Sequence, residues 1–301
     1  MAIVSAGDLF VADPARGEIR RLRIRHTPSV RTTAATSDTL QQFVGTPVRF
    51  DAAADIALAS SGDLFVADPM NHRSCLIEHS SSKVTTIAGT GGEGFDSEAK
   101  QAAQSPLRRP EAIAVGRSGD LYIADTLNNR VRVVSQLTGL IKTIAGDGEP
   151  SGRTLGDGGP AIEAHLDAPS GIAVAPNGDL YISDTGHNRV RRVDAVTGII
   201  STRAVVDAPT GLALVSVGSG TTVYVIDSRD GSIDAIGPDG IVSTFGARGR
   251  FVSPTRLAYH SSGWLYVKDS SPTGVTVVPL PSPSRVELAA VRRRTGPRKA
   301  V

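Results

Sequence analysis

The stretch GDLYISDTGHNRVRRVD at residues 178–194 decides the fold. An apolar run, Leu180-Tyr181-Ile182, is closed by Asp184; a tight polar turn follows, and a second short strand opens at Arg189. The same pattern returns as GDLFVADPARGEIRRL (7–22), GDLFVADPMNHRSCLIE (62–78) and GDLYIADTLNNRVRVV (119–134). Fainter copies are TTVYVIDSRDGSIDAI (221–236) and GWLYVKDSSPTGVTVV (263–278). The copies close on Asp13, Asp68, Asp125, Asp184, Asp227 and Asp269, at intervals of 42 to 59 residues. A repeat of that period, too small to bury its own faces without neighbours, describes a propeller array.

Working outward from residues 178–194, the unit reads as four strands: APSGIAVAP (168–176), DLYISD (179–184), RVRRVD (189–194) and IISTRAVV (199–206). Pro176-Asn177-Gly178, Thr185-Gly186-His187-Asn188 and Val196-Thr197-Gly198 supply the turns between them. Four such strands, a to d, make an antiparallel meander, which is one blade. Strand a recurs as DIALA, AIAV, GLAL and RLAY, and strand d as KVTTIAG, LIKTIAG and IVSTFG. In the first repeat, strand a is expected near residues 2–5 and strand d at 29–34 or 40–45; the latter is preferred because LQQFVGT lines up with VTTIAGT, which leaves 26–39 as an insertion on the opposite face. The reading is an all-β, six-bladed β-propeller of four-stranded antiparallel blades over residues 1–291, with 292–301 as a basic disordered tail.

Composition agrees. The 301 residues hold 32 glycines and few aromatics, as many short strands with tight turns require. One cysteine, Cys75, excludes an intrachain disulfide. No apolar run reaches the length of a membrane span, and the first residues lack the pattern of a signal peptide. The compartment is left unassigned, leaning to the cytoplasm, and the chain is open to being part of a longer protein. The formal charge of +2 is carried by the tail: without Arg292, Arg293, Arg294, Arg298 and Lys299, 27 basic groups face 30 acidic ones. The tail suits contact with polyanions; the body does not read as a general polyanion binder.

Pro-x-Gly-apolar before strand a, Gly-Asp-Leu-Tyr-Ile/Val-Ala-Asp along strand b and Thr-x-Asn-His/Asn-Arg into strand c resemble the NHL repeat. The resemblance extends to GDGEPSGRTLGDGGPAIEAHLDAPSGIAV at 146–174, which is similar to a linker common in large NHL families. It implies an NHL-type propeller, a fold that serves as protein-binding platform, RNA reader and enzyme scaffold alike.

The meander places the b–c turns and the long d–a loops, 90–110 and 147–169, on one face. That face, with Asn71, His72, Arg73, Asn128, Asn129, Arg130, His187, Asn188 and Arg189, is the expected binding surface. The six closing aspartates read as structural, since a residue kept in every blade serves what every blade needs. Asp68, Asp125 and Asp184 are each followed at the fifth position by Arg73, Arg130 and Arg189, a spacing that allows pairing across the turn.

A metal is not expected. His72, His165 and His187 share the face but show no ligand spacing. The strand a entrance residues Asp55, Glu111, Ser170, Thr210 and Arg256 offer too few oxygens for calcium, and Asp147-Gly148-Glu149…Asp157 lacks the spacing of a calcium loop. No nucleophile motif or cofactor loop is present. The expected function is a non-catalytic protein-interaction platform, with a protein as partner. Two alternatives stand beside it. Single-stranded RNA is favoured by alternating arginines (Arg21, Arg23, Arg25; Arg130, Arg132; Arg189, Arg191), though stacking aromatics are scarce. A metal-dependent lyase or lactonase-like enzyme is the other.

Overall fold

The computed structural model describes residues 2–3, 8–13, 18–23, 37–39, 50, 53–96, 99–151, 154–218, 220–246, 251–269 and 274–280. Every strand lies in an antiparallel sheet built from its neighbours in sequence. The first sheet holds β1 (Ala2–Ile3), β2 (Asp8–Asp13), β3 (Glu18–Arg23) and β4 (Ser37–Thr39). The second holds β5 (Asp55–Leu58), β6 (Leu64–Asp68), β7 (Arg73–Ile77) and β8 (Val84–Ala88). In the third, a short β9 (Lys100–Gln101) joins β10 (Pro110–Val115), β11 (Leu121–Asp125), β12 (Arg130–Val134) and β13 (Leu140–Ala145). The fourth holds β14 (Pro169–Val174), β15 (Leu180–Asp184), β16 (Arg189–Val193) and β17 (Ile200–Val205). The fifth holds β18 (Pro209–Val217), β19 (Gly220–Asp227), β20 (Ser232–Ile236) and β21 (Val242–Gly246). The last has three strands, β22 (Arg256–His260), β23 (Trp264–Lys268) and β24 (Val275–Pro279).

This corrects the expected six blades of four strands. Among the described residues five complete four-stranded blades form, not six, and a three-stranded sheet stands between the fifth and the first. Pro279 ends β24, and Pro281 and Pro283 follow it with no amide hydrogen to offer a ladder. The first blade differs too: its outer strand is β4, within the expected insertion at 26–39, and the expected strand at 40–45 lies outside the described residues.

Innermost strands β1, β5, β10, β14, β18 and β22 pack side by side around an axis. Between sheets lie apolar layers such as Ala67, Leu107, Ile113, Ile123 and Ile141. The ring closes by face packing of Leu9 and Val11 against Ala258, Tyr266 and Val275. No described strand crosses from one end of the chain into a sheet of the other. The Pro-x-Gly motif has its reason at the axis. A Cβ on Gly171 would collide with the Thr210 carbonyl of the next blade, so glycine is what lets innermost strands approach.

The long d–a linkers take an outer route. After β8, the chain runs to the rim of the next blade, where β9 pairs antiparallel with β13 before β10 begins. After β13, Gly158 N–H donates to Ile200 O (2.9 Å) and Ile200 N–H to Gly159 O (3.0 Å), with Pro160 bridging antiparallel to Ile199. Each linker thereby covers a sheet edge that would otherwise stand open.

Candidate functional site

The b–c turns form one face. In the second and third blades each turn is a single 3-10 turn, Pro69–Asn71 or Thr126–Asn128, ended by His72 (φ 48°) or Asn129 (φ 52°) in the left-handed region. Asn188 (φ 56°) takes the same place in the fourth. Asparagine and histidine tolerate that conformation better than most residues, which accounts for their recurrence there.

Each position of the turn has a partner. Three closing aspartates, Asp125, Asp184 and Asp269, are buried and pin the chain entering their own blade. Asp125 Oδ1 accepts from Arg108 N (2.7 Å), Asp184 Oδ1 from Asp167 N (2.8 Å) and Asp269 Oδ1 from Ser253 N (2.8 Å). Thr126 and Thr185 donate forward to the Pro169 and Pro209 carbonyls at 2.8 and 2.7 Å. The left-handed residue reaches the following blade: His72 Nδ1 accepts from Arg109 N (3.1 Å), Asn129 Oδ1 from Ala168 N (3.0 Å) and Asn188 Oδ1 from Ala208 N (2.8 Å). Asn71 and Asn128 donate back to Asp68 (3.0 Å) and Asp125 (2.8 Å). The repeat signature is thus a set of stitches within and between blades.

The expected Asp–Arg pair across the turn forms once, between Asp68 and Arg73 Nε at 3.0 Å. In the third and fourth blades the partner is two residues farther on. Arg191 Nη1 donates to Asp184 Oδ2 at 3.0 Å, and Arg132 Nη1 lies 3.8 Å from Asp125 Oδ2. The cause is register: Arg132 and Arg191 stand opposite Ile123 and Ile182, at the place Cys75 takes opposite Val66. Both arginines are fully buried. Arg191 also donates to Asp157 Oδ1 (2.8 Å) and to the Leu155 and His165 carbonyls (2.9 and 3.4 Å), which fastens the linker to the blade. Arg130 instead donates to the Asn128 and Asp147 carbonyls and lies 4.0 Å over the Phe95 ring. His187 Nδ1 lies 3.0 Å from Asp184 Oδ2 and its Nε2 2.8 Å from Pro150 O; His165 Nδ1 is 3.0 Å from Asp147 Oδ2. Arg189 remains partly exposed at the start of β16. Asp227 accepts from its own turn at Arg229 N (3.0 Å). The side chain of Asp13 lies outside the described residues.

Burial pushes the Asp125 carboxyl up to about 6, against the Arg108 amide, Asn128 and Arg132, which hold it down. Its folded value stands above the ordinary 3.8, so the folded state holds the proton more tightly. The stability this group contributes is complete below about pH 4 and is lost as pH rises through about 6. Asp125→Asn is therefore expected to flatten the decline of unfolding free energy between about pH 4 and 7, by on the order of 2 kcal/mol. Urea titrations of both proteins across that range check it; parallel pH profiles would exclude the assignment.

The axis opens on the same face as the turns. The strand a entrance residues fall into two registers. Asp55 and Arg256 occupy the position that Ala112, Gly171 and Gly211 hold in other blades, while Glu111, Ser170 and Thr210 precede it. Asp55 Oδ1 and Arg256 Nε are 3.4 Å apart, and Arg256 Nη2 donates to Glu111 O at 2.6 Å, across the axis. The pair narrows the axis to a cavity of about 80 Å³ lined also by Gly171, Gly211, Ile113 and Leu257. This small space admits waters rather than a drug-sized ligand. Sequence reasoning placed both residues at the entrance but could not show that they meet.

These features define a β-propeller whose recurring polar residues join blade to blade and whose b–c turns and linkers build one elaborated face. The family model "Teneurin NHL domain" matches residues 79–194, which supports the NHL-repeat reading of the propeller. Teneurin-1 of Mus musculus is 38% identical over 104 residues, which is 31% of this chain and 4% of teneurin-1. Protein SUPPRESSOR OF QUENCHING 1, chloroplastic, of Arabidopsis thaliana is 29% identical over 96 residues, covering 32% of this chain and 9% of that protein. The chain therefore matches only a small part of these long relatives. Among solved structures, a nidogen/laminin complex aligns with a TM-score of 0.63 at 15% identity, over 91% of this chain and 89% of the other. A streptogramin B lyase aligns with 0.57 at 14%, over 91% and 76%. At those identities the likeness is one of fold.

Proposed function

We propose that this propeller is a non-catalytic protein-binding platform, acting through the face that carries the b–c turns and the origins of the long linkers. The observation that carries the reading is a mixed apolar and arginine patch at the seam of the second and third blades. Met70 and Leu127 stand 59% and 41% exposed at the turn tips, beside Arg108 and Arg109. Leu127 N donates to Arg108 O and Arg109 N to His72, so these residues form one surface. Methionine and arginine are enriched where protein interfaces form. The turn residues named from the sequence shape this surface, and the exposed side chains between them make the contacts. The RNA alternative loses support because Arg132 and Arg191 are buried and point to no phosphate-accessible surface.

The double substitution Met70→Glu/Leu127→Glu is expected to cut recovery of polypeptides copurifying with the tagged chain by about tenfold or more, with the unfolding midpoint unchanged. Leu137→Glu/Val196→Glu, at turn tips on the opposite face, should leave recovery intact. The reverse result would move the binding surface to that opposite face.

A further inference from the structure

The outer edge of the fifth blade is built like those of the third and fourth, but among the described residues no strand covers it, and Arg203 reaches only its turn, donating to the Gly237 and Pro238 carbonyls. In the third and fourth blades, Ile141 and Ile200 sit at the start of the outermost strand, and both are 0% exposed. The linkers lie over them. Ala99 N–H donates to Ile141 O (2.9 Å), and Gly158 N–H and Gly159 O bond both backbone groups of Ile200. Each linker also delivers a small buried residue, Ala102 or Ala161, whose N–H donates to the turn carbonyl of Gly139 or Gly198 at 2.9 Å.

Val242 is the equivalent residue of β21. It pairs with Ile236 as Ile141 pairs with Val134 and Ile200 with Val193. Val242 is 40% exposed and the preceding Ile241 62% exposed. The reason is connection length. Only residues 206–208 join β17 to β18, and they pass straight to the axis, held by Asn188. Three residues cannot travel to the rim and back. Among the described residues no strand pairs with the outer side of β21. An apolar residue and an open ladder thus occupy a place where this chain once lays a short antiparallel strand and once an antiparallel bridge.

We propose that the outer edge of β21 is a strand-addition site for an extended segment of a partner protein. The segment would pair antiparallel with Gly240–Val242 and set a small residue against Val242, as residues 158–161 do in the fourth blade. Backbone hydrogen bonds would supply affinity and the Val242–Ile241 contact the selectivity. This surface lies at the rim and does not depend on the reading of the turn-bearing face.

A synthetic peptide copying residues 154–164 is a suitable probe, since the edge of β17 that this segment covers within the chain is already filled. Added to isotope-labelled full chain at millimolar concentration, it is expected to shift the amide resonances of 241–244 and to slow exchange of the Val242 amide. Val242→Pro, which removes that donor at a position an edge strand tolerates, should abolish the shifts of the neighbouring amides. If that variant does not fold, Val242→Asp keeps the donor, places a carboxylate in the apolar contact and should likewise abolish the shifts. Absence of shifts, shifts elsewhere, or shifts that persist in the folded variants would overturn the proposal. A dimer of the free chain that Val242→Asp dissolves would also overturn it, assigning the edge to a second copy.

Discussion

Arg191→Ala is expected to lower the unfolding free energy by about 3–5 kcal/mol, the range for breaking one side of a buried ion pair. Arg191 is fully buried and donates to two carboxylates and two carbonyls drawn from β15 and the 147–169 linker. Its removal leaves the buried Asp184 with His187 and the Asp167 amide and unfastens the linker from the blade. Arg191→Lys should recover only part of the loss, because an ammonium lacks the planar fork that reaches Asp184 and Asp157 together. Arg189→Ala, two residues earlier in the same strand, should change stability by no more than about 0.5 kcal/mol. Denaturant titration separates the two. Equal effects would mean that the buried guanidinium contributes no more than the partly exposed one, and would overturn the assignment. Faster proteolysis within 154–165 in Arg191→Ala would locate the damage in the linker.

The second large effect is expected at the axis. Asp55 and Arg256 come from strands on either side of the first blade, so their pair spans the seam where the two ends of the chain meet. Both side chains are only 11% exposed. Arg256→Ala should destabilise by about 3 kcal/mol, since it removes the guanidinium that faces the buried Asp55 carboxylate and leaves the Ile113 amide to hold it in the narrow axis. The double substitution Asp55→Gly/Arg256→Ala, which restores the small residues that other blades carry there, should be more stable than Arg256→Ala alone. A double-mutant cycle measures the coupling. Additive single effects would show that face packing of Leu9, Val11 and Tyr266 closes the ring without help from the pair.

Both expectations rest on contacts that the sequence indicated only in part. The recurrence of Asp, Thr, Asn and Arg was visible, and so was its structural character, because a feature repeated in blade after blade answers a need common to all. Which arginine meets the aspartate was not visible. The fifth position faces Asp across the ladder in register, yet in two blades the buried guanidinium comes from the seventh. The forward reach of Asn129, Asn188 and His72 to the next blade was equally hidden, because it depends on backbone that arrives from about 20 to 40 residues away. The long loops were read as binding chain on the turn-bearing face. Their first residues lie there, but their middle portions cover the rims of the third and fourth blades.

By itself the sequence determined the repeat, the strand order within each blade, the turn positions and the resemblance to the NHL repeat. Those features are local: period-2 burial, turn residues and a recurring Asp are decided within about 15 residues of chain. Only the tertiary structure decided the number of complete blades, the route of the linkers, the partners of the buried arginines, the axial ion pair and the uncovered edge of β21. Each of these is a meeting of segments far apart in sequence, governed by which surfaces a neighbouring blade leaves to be filled. GDLYISDTGHNRVRRVD specifies a blade from within; how its Asp184, Asn188 and Arg191 are satisfied depends on the chain that other parts of the ring bring to it.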